Sequence, residues 1–285
     1  MQGEIVGGGY PPPVGELLTL GDPRGMPTRP VTSEHPDGWP DYPQEFGLGS
    51  EDVPDLIRMA TDTELNRANS DSVEGWAPLH AVRALGQLRA TAAIEPLLRV
   101  LTDNTGDDWV HETLPDAFGL IGPAAGPALT EYLCDASHEF FSRVTAAISL
   151  DYIGVTHPEA RAESVAALTQ QIEQPAGDDA ELNAFVITAL IELKAVEAAP
   201  RIKAAFERGA VDVSVIGDWD SVRLALGLWP PLMRITQPRP RSDDGGVSLL
   251  THSLLARPGA KRASDQQDTT KKAADKSHKR NKKRA

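Results

Sequence analysis

Four carboxylates crowd one short stretch of the chain around a tryptophan, Trp109. The last two stand four residues apart, so a helix would place them on one face, where like charges cost about 0.2–0.5 kcal/mol. A cation, a basic partner or the chain's own basic tail would offset that cost. The alternative is a solvated acidic face whose first two members lie near a helix start, where the macrodipole favours them. The four are Asp107, Asp108, Glu112 and Asp116. General acid–base chemistry by such a pair needs a pocket, and the sequence indicates none.

A second tryptophan, Trp76, precedes Trp109 by one repeat length (109 − 76 = 33). The two therefore occupy the same place in successive units, near the start of each first helix. Aromatic anchors concentrate binding energy, so the pair could form a partner-binding patch. The alternative is that both tryptophans fill the space between repeats. Together with the four carboxylates they make up the predicted partner-binding site.

Catalytic and metal-binding patterns are weak in the rest of the chain. Cys134 and His138 stand four residues apart, a spacing that would bring a nucleophile and its base together on a continuous helix. However, Asp135-Ala136-Ser137 between them is typical of a turn. Cys134 is the only cysteine, which excludes an internal disulfide and a zinc site built on several thiolates. The histidines show no compact ligand spacing, and Gly7-Gly8-Gly9 lacks the lysine of a phosphate loop. The sequence predicts no catalytic residue, metal or cofactor.

The charge of the chain is divided unevenly. Residues 257–285 carry 11 basic and 3 acidic groups, although the net charge is −13, so the remainder holds −13 − 8 = −21. The end of this tail has no aromatic residue, which favours electrostatic contact over base stacking. It predicts nonspecific contact with nucleic acid or an acidic protein; the alternative is a solubilising tail or one that folds onto the acidic body. Its basic residues are Lys271, Lys272, Lys276, Lys279, Arg280, Lys282, Lys283 and Arg284.

A degenerate repeat of roughly 33 residues between about positions 75 and 208 must position these groups. Ala84-Leu85-Gly86 recurs as Ala117-Phe118-Gly119, and Ala189-Leu190-Ile191 takes the same place later. With Ser149 as the third member, the spacings are 33, 32 and 40 (117 − 84, 149 − 117, 189 − 149). The longest spacing, 40 residues, indicates added residues in the third unit. Because insertions in such arrays fall in loops, this spacing predicts an insertion near Thr156-His157-Pro158.

Apolar residues within each unit follow the helical period. The first unit shows it in Leu79, Val82, Leu85 and Leu88, and then in Ile94, Leu97, Leu98 and Leu101. Pro96, Pro127 and Pro200 fall where second helices begin, in the turn that tolerates a missing N–H. The pattern predicts an all-α fold, an α-solenoid of about four helix pairs with flexible N- and C-terminal segments.

The composition divides the chain into three parts. Residues 1–54 hold ten of the 23 prolines and no helical period, which predicts an arm that is extended, wrapped against the body or mobile. Residues 55–236 form the predicted solenoid, opening with an incomplete capping helix. Residues 237–285 are predicted to be a mostly disordered basic tail.

At Ala84-Leu85-Gly86 and the downstream Pro96 the chain resembles the HEAT-repeat superfamily, and within it the HEAT-like repeats named from phycobilisome bilin lyases. The segment from Trp39 to Ala60 also resembles the lead-in of uncharacterised bacterial HEAT-repeat proteins, some cyanobacterial. The resemblance implies the solenoid fold, but the repeat type occurs in enzymes and adaptors alike. Some relatives end in a cysteine-rich metal-binding tail; this chain has only basic residues there, so zinc is not implied.

We therefore expect a noncatalytic interaction scaffold or adaptor that binds a protein partner on its acidic surface, since solenoids present extended binding surfaces. The resemblance offers a bilin lyase acting on phycobiliproteins as one alternative, and the tail offers a nucleic-acid-associated protein as another. No apolar stretch reaches the roughly 18 residues of a membrane span, and Met1-Gln2-Gly3-Glu4 does not begin a secretory signal. The expected location is the cytoplasm, with no membrane contact.

Overall fold

A computed structural model describes residues 9–29, 37–69, 71–174 and 179–228, and the predicted basic tail lies outside these ranges. Every regular element in them is helical. Short 3₁₀ turns precede many of the α-helices. The α-helices are α1 (Tyr42–Phe46), α2 (Val53–Ala60), α3 (Thr63–Asn66), α4 (Ala77–Gln87), α5 (Ile94–Asp103), α6 (Asp108–Ile121), α7 (Gly126–Cys134), α8 (Phe140–Thr156), α9 (Arg161–Glu173), α10 (Ala180–Glu192), α11 (Ala199–Glu207), α12 (Val213–Ile216) and α13 (Trp219–Ala225).

The helices from α4 to α11 form two layers of an α-solenoid. The first helices of the pairs pack in series, α4 on α6, α6 on α8 and α8 on α10. The second helices do the same, from α5 through α7 and α9 to α11. The predicted all-α fold of four helix pairs is thus confirmed for the described part of the chain. In α5 the stripe Ile94, Leu97, Leu98 and Leu101 is buried, because helical spacing turns these residues toward one side.

Small residues let successive first helices approach closely and fix the register. A side chain added at Gly86 would stand 2.9 Å from the Ala117 Cα, and one added at Gly119 would stand 3.1 Å from the Tyr152 Cβ. Tyr152 therefore occupies the place of Ala117 in the next unit. The assignment of Ser149 to that place is wrong, because helix α8 has 17 residues against 14 in α6, so the matching position falls three residues later (152 − 149).

The extra residues of the third unit lie within helices. The 3₁₀ turns Pro123–Ala125 and Pro158–Ala160 match in length and are 35 residues apart (158 − 123). Helix α8 has 17 residues against 14 in α6, and α9 has 13 against 9 in α7. The predicted insertion near 156–158 is therefore wrong, since longer helices absorb the added length.

The N-terminal arm covers the first repeat. Val14, Leu17 and Tyr42 are fully buried, and the 3₁₀ turn Val14–Thr19 and helix α1 both contact α4. Helix α2 also packs on α4, as a cap would. The sequence left an extended, a wrapped and a mobile arm open, within a fold predicted to have flexible terminal segments. The described residues of the arm are wrapped against the body, because enough apolar side chains interrupt the prolines and glycines.

Candidate functional site

The two predicted tryptophans meet at the boundary between the arm, α4 and α6. Trp76 ends the 3₁₀ turn before α4, and Trp109 is the second residue of α6, whose start is capped by Asp107 accepting from the Trp109 N–H at 3.0 Å. The indole rings are 5.3 Å apart between centroids and nearly perpendicular, at 82°. Trp76 is buried and Trp109 half-buried. Trp76 is therefore packed between repeats, whereas Trp109 keeps part of its surface in solvent.

A guanidinium from the arm lies on this pair. The Arg24 Cζ is 5.8 Å from the Trp76 ring centroid and 5.1 Å from that of Trp109. Its Nε donates to both Asp22 carboxylate oxygens at 3.0 and 2.9 Å, and its Nη2 also donates to Asp22. The Asp22 hydrogen bonds, and more weakly the charge of Glu112, raise the pKa of Arg24. The predicted partner surface thus already holds an arginine of this chain.

Glu112 faces the same cluster without a cationic partner of its own. Burial, then the charges of Asp108 and Asp107, raises its pKa to about 7, while Arg24 and Arg83 act against the rise. No hydrogen bond or ion pair to Glu112 occurs within the residues that the structure describes. A carboxylate in this state is stabilised by an added positive charge. We call Arg24, Trp76, Trp109 and Glu112, with Asp107 and Asp108, the Trp–acid cluster.

Asp116 belongs to a different neighbourhood from Glu112. Burial, then the charge of Asp37 in the arm, raises its pKa to about 7, and the nearby Arg83 opposes the rise. Arg83 lies over the Trp39 ring at 4.9 Å, and its buried Nε meets no acceptor among the described groups. The structure therefore groups the four predicted carboxylates as three and one, since the charges of Asp107 and Asp108 raise the pKa of Glu112, whereas the charge of Asp37 raises that of Asp116.

Asp151 is an acidic residue that the sequence analysis missed. It occupies on α8 the place of Asp116 on α6, is 5% exposed, and its Oδ1 finds no donor within the described ranges. Burial, then the charge of Glu192, raises its pKa to about 8. Burial and both aspartates also raise the pKa of Tyr152. The signal for Asp151 was its 35-residue spacing from Asp116 (151 − 116), which the assignment of Ser149 concealed.

Cys134 and His138 are not arranged as a nucleophile and base. Burial raises the pKa of the Cys134 thiol, and the His138 ring instead stacks on Tyr132 with centroids 3.7 Å apart. In the parts of the chain that are described, no group of three or more His, Cys, Asp or Glu side chains is placed to hold a metal ion. Nor does any helix there have the length and apolar character to cross a membrane.

The matched repeat identifies the building unit of the fold. Residues 79–103 match the family model of the PBS lyase HEAT-like repeat. This range covers most of α4 and all of α5, which form the first helix pair. The resemblance to the HEAT-repeat superfamily is thereby confirmed at this pair. No curated protein and no solved structure matched the chain.

Proposed function

We propose that this protein is a noncatalytic interaction scaffold whose Trp–acid cluster contacts a protein partner. The observation that carries the proposal is the Arg24 guanidinium held over Trp76 and Trp109 beside Glu112. A partly exposed aromatic ring such as Trp109, next to carboxylates such as those of Asp108 and Glu112, is typical of surfaces that bind cationic groups. HEAT-like repeats commonly mediate protein interactions, which supports the same function.

Affinity capture from the native host tests the proposal. Full-length protein and the double variant Asp108→Asn/Glu112→Gln serve as baits after nuclease treatment. A control variant, Glu131→Gln/Glu163→Gln, removes the same charge from exposed positions on α7 and α9. We expect a partner retained by the full-length and control baits and lost from the double variant. Equal capture by all three baits would show that the interaction uses another surface. A captured chromophore with visible absorbance would favour the alternative function of a bilin lyase.

The basic tail supports an additional contact with nucleic acid in the same proposal. Residues 257–285 carry an excess of positive charge opposite in sign to the rest of the chain. We expect nucleic-acid binding that weakens steeply with salt and is lost in a 1–256 truncation, because phosphate contacts release counterions. Binding that survives the truncation would contradict a role for the tail. A cytoplasmic location is also part of the proposal, and fractionation of the host tests it.

A further inference from the structure

We propose that the Trp–acid cluster recognises an arginine side chain of the partner, and that Arg24 is a resident ligand which this arginine displaces. The inference rests on the proposed function and names the chemistry of its partner. It follows from the geometry of the cluster, the charge left over in it, and the way the arm is anchored.

The aromatic geometry suits a planar cation. The perpendicular indoles of Trp76 and Trp109 offer one guanidinium contact with both rings, as Arg24 demonstrates at 5.8 and 5.1 Å. A guanidinium stacks its flat face on aromatic rings, while its N–H groups, which lie in the plane of the guanidinium, donate to carboxylates. The ammonium of lysine is compact and more strongly hydrated, so it gains less on such a surface. The site therefore selects arginine over lysine.

The charge in the cluster favours a second guanidinium over the resident one. Arg24 makes its hydrogen bonds with Asp22, two residues away on the same arm. The Asp22 carboxylate therefore already neutralises the charge of Arg24. Glu112 and Asp108 receive no hydrogen bond or ion pair from any described residue. An incoming arginine without its own Asp22 can direct its donors to Glu112, which the resident side chain does not reach.

The arm can release Arg24 without detaching. The Arg24 side chain is 55% exposed, whereas Val14 and Leu17 are fully buried. The arm is also held where the His80 Nε2–H donates to the Gly21 carbonyl at 2.8 Å. A rotation of the Arg24 side chain alone therefore uncovers the part of each indole that its guanidinium covers.

The test uses Arg24→Ala in the full chain and two probes, acetyl-Gly-Arg-Gly-amide and its lysine counterpart. Indole N–H resonances of Trp76 and Trp109, assigned with Trp→Phe variants, report binding. We expect saturable shifts with the arginine probe, at least threefold tighter binding to Arg24→Ala than to the unaltered protein, and weaker binding of the lysine probe. Adding Glu112→Gln should weaken binding again. Arg58→Ala is the control, because Arg58 of α2 also contacts the arm through an aromatic ring, with its guanidinium 4.0 Å from the Tyr10 ring centroid.

Three results would overturn the inference: no saturable shift in Arg24→Ala, equal binding of the two probes, or tighter binding in Arg58→Ala to the same extent. Its failure is distinguishable from failure of the proposed function. If the partner captured from the host is lost on Asp108→Asn/Glu112→Gln but is unaffected by Arg24→Ala and by excess arginine probe, the surface stands and arginine recognition is wrong.

Discussion

Arg143 of α8 reaches across a repeat boundary to Asp179, which directly precedes α10. Its Nη1 and Nη2 donate to the two carboxylate oxygens at 2.8 and 3.0 Å, and its Nε donates to the Leu133 carbonyl near the end of α7 at 2.8 Å. Arg143 is 4% exposed. These hydrogen bonds lower the pKa of Asp179. One buried guanidinium thus joins three consecutive helix pairs.

Replacing Arg143 should destabilise the solenoid strongly. Arg143→Met leaves the Leu133 carbonyl without this donor and leaves Asp179 with only the Gln171 side-chain amide, at 3.2 Å, so we expect a loss of about 3 kcal/mol in the free energy of unfolding. Asp179→Asn should lose less, because an amide oxygen still accepts from the guanidinium. Urea denaturation at pH 7 measures both. A loss below about 1 kcal/mol for Arg143→Met would contradict the structural role given to this residue.

A methyl group at Gly86 should destabilise the stack of first helices. The added carbon would stand 2.9 Å from backbone Cα of Ala117, and a helix backbone cannot yield as a flexible side chain can. We expect Gly86→Ala to lower the melting temperature, although alanine favours an isolated helix by about 1 kcal/mol. Gly126→Ala at the start of α7 is the matched control, since nothing lies within 4 Å of the added carbon. Equal effects of the two variants would refute the close approach.

Asp151→Asn should stabilise the protein, and more so at higher pH. Burial raises the pKa of Asp151 from its ordinary value of 3.8 to about 8, so the folded state holds a proton that the unfolded chain releases. The resulting decrease in the free energy of unfolding is absent below about pH 4 and grows as the pH rises to about 8. We expect the gain in melting temperature to be larger at pH 8 than at pH 5. Asp103→Asn, on the exposed end of α5, should show no such trend.

His80 should make the protein sensitive to acid. Its Nε2–H donates to a carbonyl, so its Nδ1 accepts from the Tyr42 hydroxyl at 2.6 Å. Burial lowers the pKa of His80 from its ordinary value of 6.5 to about 4. The unfolded chain therefore takes up a proton first, and stability is lost as the pH falls from about 6.5 to 4. Unfolding of His80→Gln should show a smaller loss over this range. An identical pH dependence would contradict the neutral state of His80.

The helix pairs were predictable because their apolar residues repeat with the period of a helix, as in Ile94, Leu97 and Leu101. The contacts of the arm could not be predicted, because Arg24 and Trp76 are 52 positions apart (76 − 24) and no periodicity relates them. The acidic residues were found from their spacing on α6. Asp151 was missed because the longer helix α8 shifts the matching positions of the third unit, as the contact of Gly119 with Tyr152 shows.

The arm that covers the first repeat also supplies Arg24, whose guanidinium lies over the two indoles. Units of a solenoid depend on their neighbours, so terminal units open most easily. Here the contact of Arg24 with the two indoles contributes to the docking of the arm. A ligand that displaces Arg24 removes that contribution and so favours opening of the arm, and by thermodynamic linkage the docked arm lowers the affinity for the ligand by the same free energy. Hydrogen exchange at the Tyr42 amide, which donates to the Gln87 side chain at 2.9 Å, would report occupancy of a site on another helix.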